Sequence, residues 1–175
     1  PSRKLFQQTM AILFQEHPYR RPIIGFEKTV QSIQRDQMVS FFKKWYVPNR
    51  IAFVAVGDFG LQNMEGKVRE AFKGFKPSTT GFPSRTEEKE KKEFGPVVSQ
   101  GNFKETYLHM AVPIPSVKHE DTPALDALSH ILGGGEASRL VQKVKLEKGL
   151  VNSISASSFT PKDPGAFIVG ATLPV

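Results

Sequence analysis

Ile131-Leu132-Gly133-Gly134-Gly135-Glu136-Ala137-Ser138-Arg139-Leu140 is the stretch on which the reading of this chain turns. Ahead of it, Leu125, Leu128, Ile131 and Leu132 recur at helical spacing and predict a buried helix face over about 122–132. Asp121 or Thr122 would cap that helix, and Pro123 suits its first turn. The three glycines then predict a tight corner where a side chain would clash. A second helix is expected over roughly 137–148, stopped by Gly149 in a left-handed conformation. A phosphate loop would need G-x-x-x-x-G-K-[ST] after a strand, and neither condition is met. A G-x-G-x-x-G match also fails.

Working outward, residues 103–112 alternate like a strand, with Thr106, Leu108, Met110 and Val112 on one face and Phe103, Glu105, Tyr107 and His109 on the other. Pro113 and Pro115 are expected to end it. Two more strands are read at 151–159 and 165–173, joined by the turn Pro161-Lys162-Asp163-Pro164-Gly165. In the first half, Leu5, Phe6, Met10, Leu13 and Phe14 predict a helix over 2–16, with Ser2 as its cap and His17-Pro18 as its stop. His17 would sit at the negative end of that helix dipole. Met38, Phe41, Phe42 and Trp45 predict a helix over about 36–46. Ile51-Ala52-Phe53-Val54-Ala55-Val56 reads as a short buried strand. Leu61, Met64, Val68, Ala71 and Phe72 predict a helix over 61–73. Residues 76–94 lose any apolar period and read as a mobile surface linker, with Glu87, Glu88, Glu90 and Glu93 solvated.

The chain has 175 residues, 39% of them apolar, enough for one ordinary domain or two small ones. No apolar run approaches the roughly 18 residues that span a bilayer. The net charge of +7 suggests a nucleic-acid surface. The basic residues are scattered, however, and Glu87-Glu88-Lys89-Glu90-Lys91-Lys92-Glu93 nearly balances itself, so a solvated basic surface is the better reading. With no cysteine, disulfides and thiolate chemistry are excluded. His17, His109, His119 and His130 are too far apart in sequence for the usual zinc spacings, and no H-E-x-x-H or H-x-x-E-H occurs. No G-x-S-x-G elbow is present either. The chain opens on Pro1 rather than methionine and its last strand runs to Val175, so both ends are expected to be cut from a longer protein.

Three separated stretches, in this order, resemble the insulinase-like (pitrilysin) zinc metallopeptidases. The first is His17-Pro18-Tyr19-Arg20-Arg21-Pro22-Ile23-Ile24-Gly25. The second is Phe41-Phe42-Lys43-Lys44-Trp45-Tyr46-Val47-Pro48-Asn49-Arg50 running into Val54-Ala55-Val56-Gly57-Asp58. The third is Ile131 to Leu140, followed by Glu147-Lys148-Gly149-Leu150-Val151. The resemblance covers nearly the whole chain. It implies an α+β fold, an antiparallel sheet backed by helices, in the manner of one half of a mitochondrial-processing-peptidase-like protein. Residues 1–75 would be the C-terminal part of a first peptidase-like domain, 76–95 a linker, and 96–175 the N-terminal part of a second homologous domain.

The resemblance also implies what lies elsewhere. The family's H-x-x-E-H motif and its third, glutamate ligand would fall upstream of Pro1, so zinc belongs to the parent protein and no metal ligand, cofactor-binding residue or catalytic residue is expected here. Active members often place an arginine and a tyrosine in the second half to steady the substrate carbonyl. The corresponding positions here are Lys145 and Asn152, which makes them the candidate substrate contacts. Lysine keeps the charge without the forked geometry. This substitution fits a zinc-bearing subunit whose partner supplies the pair, or an inactive member. The implied function is part of a zinc-dependent endopeptidase acting on unfolded peptides, contributing chamber wall. The alternative is a non-catalytic structural or peptide-binding subunit. Implied partners are a peptide substrate and a second peptidase-like subunit or a homodimer, with no nucleic acid and no membrane insertion. A bacterial periplasmic or extracytoplasmic location is the family's common case.

Overall fold

A computed structural model of the chain describes residues 1–89 and 95–174. It divides into two compact units, Pro1–Ile23 with Arg85–Val175, and Ile24–Ser84. These units cut the chain at different places from the domain split read from the sequence.

The larger unit is built on a three-stranded antiparallel sheet of order β1-β3-β2, where β1 is Thr106–Ile114, β2 Ser153–Phe159 and β3 Gly165–Leu173. The α+β class and the antiparallel sheet are therefore as the sequence implies. β1 runs through Pro113 instead of ending there. An edge strand tolerates a missing N–H that a central strand cannot. Residues that pair across the sheet share a face, so His109, Gly170 and Ser155 lie on one side, and Met110, Val169 and Ala156 on the other.

Helix α1, Ser2–Leu13, covers the first of these faces. Met10, Leu13 and Phe14 form a core with Ala166 and Ile168, and Ala111 and Tyr19 pack against it. Phe6 meets Phe159 edge-on at 5.8 Å. Ser2 is the first helical residue and makes no side-chain cap, with Pro1 in the cap position. Burial of a few such side chains at about 1.5–3 kcal/mol each is what holds α1 to the sheet. Helix α5, Thr122–Gly133, packs on β2 (α2 to α4 are in the smaller unit). Ile154 and Ala156 are half-buried while Ser153, Ser155 and Ser157 are exposed, so α5 covers the second face. It leaves the β1 side of that face open: Leu108, Met110 and Val112 are exposed, Met110 by 59%. The expected burial along α5 is also incomplete, since Leu128 and Ile131 are exposed.

The glycine corner behaves as predicted. A Cβ on Gly133 would lie 2.0 Å from the Ala156 backbone N, so the helix end abuts β2. One on Gly134 would lie 2.7 Å from His130 Cα, and Gly135 has φ +107°. The element that follows is a π-helix, Val141–Glu147, within the span expected to be an α-helix. Its wider turn carries Lys145.

The smaller unit holds α2, Glu27–Ser32, α3, Arg35–Trp45, and α4, Leu61–Ala71. A reciprocal Gln34–Gln37 capping box starts α3. The strand expected at 51–56 does not form: the segment has no regular structure and pairs with no strand among the described residues, and Val56 is 94% exposed. Nor is the segment beyond α4 a bare tether. Trp45 stacks on Phe82 at 6.0 Å, and the Arg50 guanidinium lies 4.3 Å from the Trp45 ring and 4.2 Å from the Phe82 ring. Asn49 Nδ2 donates to the Ser78 carbonyl at 2.9 Å, and Ser78 N–H donates back to Asn49 Oδ1 at 3.1 Å.

Candidate functional site

The two candidate contacts are both engaged by carboxylates. Lys145 Nζ lies 3.9 Å from Glu136 Oε1. Asn152, just ahead of β2, donates from Nδ2 to Glu105 Oε1 at 2.7 Å, and its backbone N–H donates to the Thr172 carbonyl at 2.7 Å. The other Glu105 oxygen accepts the Tyr107 hydroxyl at 3.3 Å. Loss of hydration and the nearby Glu105 charge both push the Tyr107 phenol up from its ordinary value. No polar contact joins Lys145 to Asn152. Glu105 and Tyr107 were legible as an i, i+2 pair on one strand face, but nothing in the sequence tied them to Asn152.

A second polar cluster gathers three separate segments. Glu88 reaches back to the corner after α1, where its carboxylate accepts the N–H groups of Gln15, Glu16 and His17 at 2.8 to 2.9 Å. Burial alone would raise its pKa. The three backbone donors outweigh that and hold the carboxyl below its usual range. The expectation of a solvated Glu88 is thus corrected: it is half-buried and fully bonded. Glu87 is exposed, and Glu90 and Glu93 lie outside the described residues. Asp163, in the β2–β3 turn, pairs with Arg85 and takes the Tyr19 hydroxyl at 3.5 Å. The Arg85 hydrogen bond, reinforced by charge, holds Asp163 below the ordinary carboxylate range.

His17 sits inside this cluster, 3% exposed. Its Nδ1 accepts the Tyr19 N–H at 3.3 Å, capping the short 3₁₀ turn Pro18–Arg20. Its Nε2 lies 3.5 Å from Asp163 Oδ2. His109 Nδ1 lies 2.9 Å from Thr9 Oγ1 between β1 and α1, and burial holds its pKa below the ordinary value. His119 Nδ1 receives the Asp121 N–H at 3.2 Å.

Three of the four histidines are thus spent on local structure. Among the described residues, no group of three or more His, Asp or Glu side chains is arranged to hold a metal ion. The described residues of this chain do not fit a zinc site. No helix among the described residues is long and apolar enough to cross a membrane.

This fold, an antiparallel sheet backed by helices with a glycine corner, is that of a peptidase-like half. Residues 32–175 match the family model described as the Peptidase M16 inactive domain, and the chain belongs to that family. A Mycobacterium leprae protein described as an uncharacterized zinc protease is 31% identical over 175 residues, covering 98% of this chain and 39% of that protein. The zinc protease PqqE of Helicobacter pylori is 26% identical over 155 residues, covering 87% of this chain and 35% of its own length. The crystal structure of a protease from Helicobacter pylori superposes with a TM-score of 0.84 at 26% identity, over 99% of this chain and 43% of that one. The peptidase M16 inactive domain from Pseudomonas fluorescens shares the fold, with a TM-score of 0.76 at 22% identity, over 99% of this chain and 42% of that one. The chain thus spans about two fifths of the length of the relatives it matches.

Proposed function

We propose that this chain is non-catalytic wall from a zinc-dependent endopeptidase that acts on unfolded peptides, with the zinc held by a part of the parent protein outside these residues. The observation that carries this reading is the match of residues 32–175 to an inactive peptidase domain. The geometry supports it: Lys145 and Asn152 are paired with Glu136 and Glu105, and three of the four histidines cap turns or bridge a helix to a strand. On this reading the chain lines a chamber, contacts the peptide and meets a second peptidase-like half, from a partner subunit or a second copy. The setting that goes with this reading is periplasmic or extracytoplasmic.

A second reading is a structural or peptide-binding subunit with no peptidase activity in the parent at all. The same pairing is compatible with it, because Lys145 and Asn152 each already face a carboxylate. The two readings separate in one assay. The complete protein, given zinc and an unfolded peptide, cleaves it under the first reading and leaves it intact under the second. Its upstream sequence holds H-x-x-E-H only under the first.

A further inference from the structure

We infer that Pro96–Gln100 closes onto the free edge of β1 as a fourth strand, forming a hairpin hinged at Gly101–Phe103. β1 pairs with β3 on one side only, and among the described residues no backbone hydrogen bond reaches its other side. In an antiparallel ladder, alternate residues point their N–H and C=O groups toward a given neighbour. Half of β1 therefore offers these groups outward, an arrangement that templates strand addition.

Two grooves lie between this edge and the segment Pro96–Gly101. A groove of about 540 Å³ is lined by Tyr107 and His109 from one face of β1 and by Met110 and Val112 from the other. It borders this edge and reaches over both faces of β1, to Leu5, Gln8 and Thr9 of α1 on one side and to Val169 of β3 on the other. A second groove, of about 590 Å³, includes Glu105 to Leu108 and continues it toward the start of β1. Pro96, Val97 and Val98 form the facing wall of the first groove, and Ser99 to Gly101 that of the second.

That wall has the properties of the absent strand. Val97 and Val98 are β-branched, apolar and exposed, Val98 by 83%. The chain already reverses beyond them: Phe103 N–H donates to the Gly101 carbonyl at 3.1 Å. The connection Gly101–Glu105 falls within the usual hairpin loop length of about 2–5 residues. Gln8 Nε2 donates to Ser99 Oγ at 2.9 Å and keeps the segment beside the groove. Pro96, lacking an N–H, is suited to an outermost strand. A tether this short gives the segment an effective concentration of roughly millimolar order, which favours it over a free peptide.

The test is residue-resolved backbone amide exchange on the whole chain, with and without Val98→Pro. Closure predicts slow exchange at every β1 amide, including the alternate set that does not bond to β3. Val98→Pro should then speed that outward set by about tenfold or more, while the inward set stays slow and reports an intact sheet. Fast outward exchange in the unaltered chain would overturn the proposal, as would protection indifferent to Val98→Pro. Protection that rises with protein concentration would assign the edge to a second copy. Protection that appears only with added apolar peptide would assign it to a substrate.

Discussion

Glu88 Oε2 accepts the backbone N–H of His17 at 2.8 Å across 71 positions of sequence. The same carboxylate takes the N–H groups of Gln15 and Glu16, in the corner just beyond the end of α1. One acidic side chain thereby fixes the exit of the helix and anchors the segment that carries Arg85 to Asp163.

Glu88→Ala should destabilise the larger unit by about 1–3 kcal/mol, the cost of stranding donors from a charged acceptor. Urea unfolding would measure it. Glu88 and Asp163 both have folded pKa values below their ordinary values of 4.5 and 3.8. Each therefore adds stability that is present above the unfolded value and lost as pH falls through the folded one. Stability should drop as pH falls below about 4.5, and Glu88→Ala should flatten that drop. An unchanged acid limb would contradict the assignment.

Gly133→Ala and Gly66→Ala should have opposite signs. The first drives a methyl group to 2.0 Å from the Ala156 backbone N, whereas nothing lies within 4 Å of a Cβ on Gly66. Overpacking at Gly133 should cost about 1–3 kcal/mol or more. In the interior of α4, alanine should stabilise by about 0.5–1 kcal/mol. Thermal melts of the pair decide the point, and equal effects would refute it.

Trp45 is the sole tryptophan, which makes its stack with Phe82 and Arg50 directly visible. Phe82→Ala should red-shift its emission as the ring gains water. Arg50→Lys should fail to restore the stack, because ammonium cannot lie flat against two rings. The interaction is worth about 0.5–2 kcal/mol. Emission insensitive to both changes would show that 78–82 does not rest on the helix.

His109 should titrate below the ordinary histidine value of 6.5, since burial disfavours its cation. Its stabilising contribution is present above the unfolded pKa and lost as pH falls through the lower folded one. Proton NMR of the ring resonances would follow it. A midpoint at or above 6.5 would contradict the packing of α1 on β1.

Much of this fold is legible in the sequence because the relevant information is local. The apolar period of 2–14, the glycine corner and the alternating strands each follow from neighbouring residues. The failures share a different cause. Ile51–Val56 has the composition of a strand, yet a strand exists only against a partner, and among the described residues there is none. Leu108, Met110 and Val112 share one face as their alternation requires, but alternation does not say whether that face is covered. The short helix Glu27–Ser32 has too few turns to show a period. At the site, Lys145 and Asn152 come from a resemblance, while their partners Glu136 and Glu105 emerge only in three dimensions. Glu88 sits in a charged run that composition marks as solvent, and its role depends on backbone donors far away in sequence.

The most direct measurement is a zinc-supplemented peptidase assay on residues 1–175 alone, using an unfolded peptide and a metal-chelated control. The account predicts no cleavage above that control by this chain. Chelator-sensitive hydrolysis by the isolated chain would contradict it, because the water-activating groups would then have to lie within these residues.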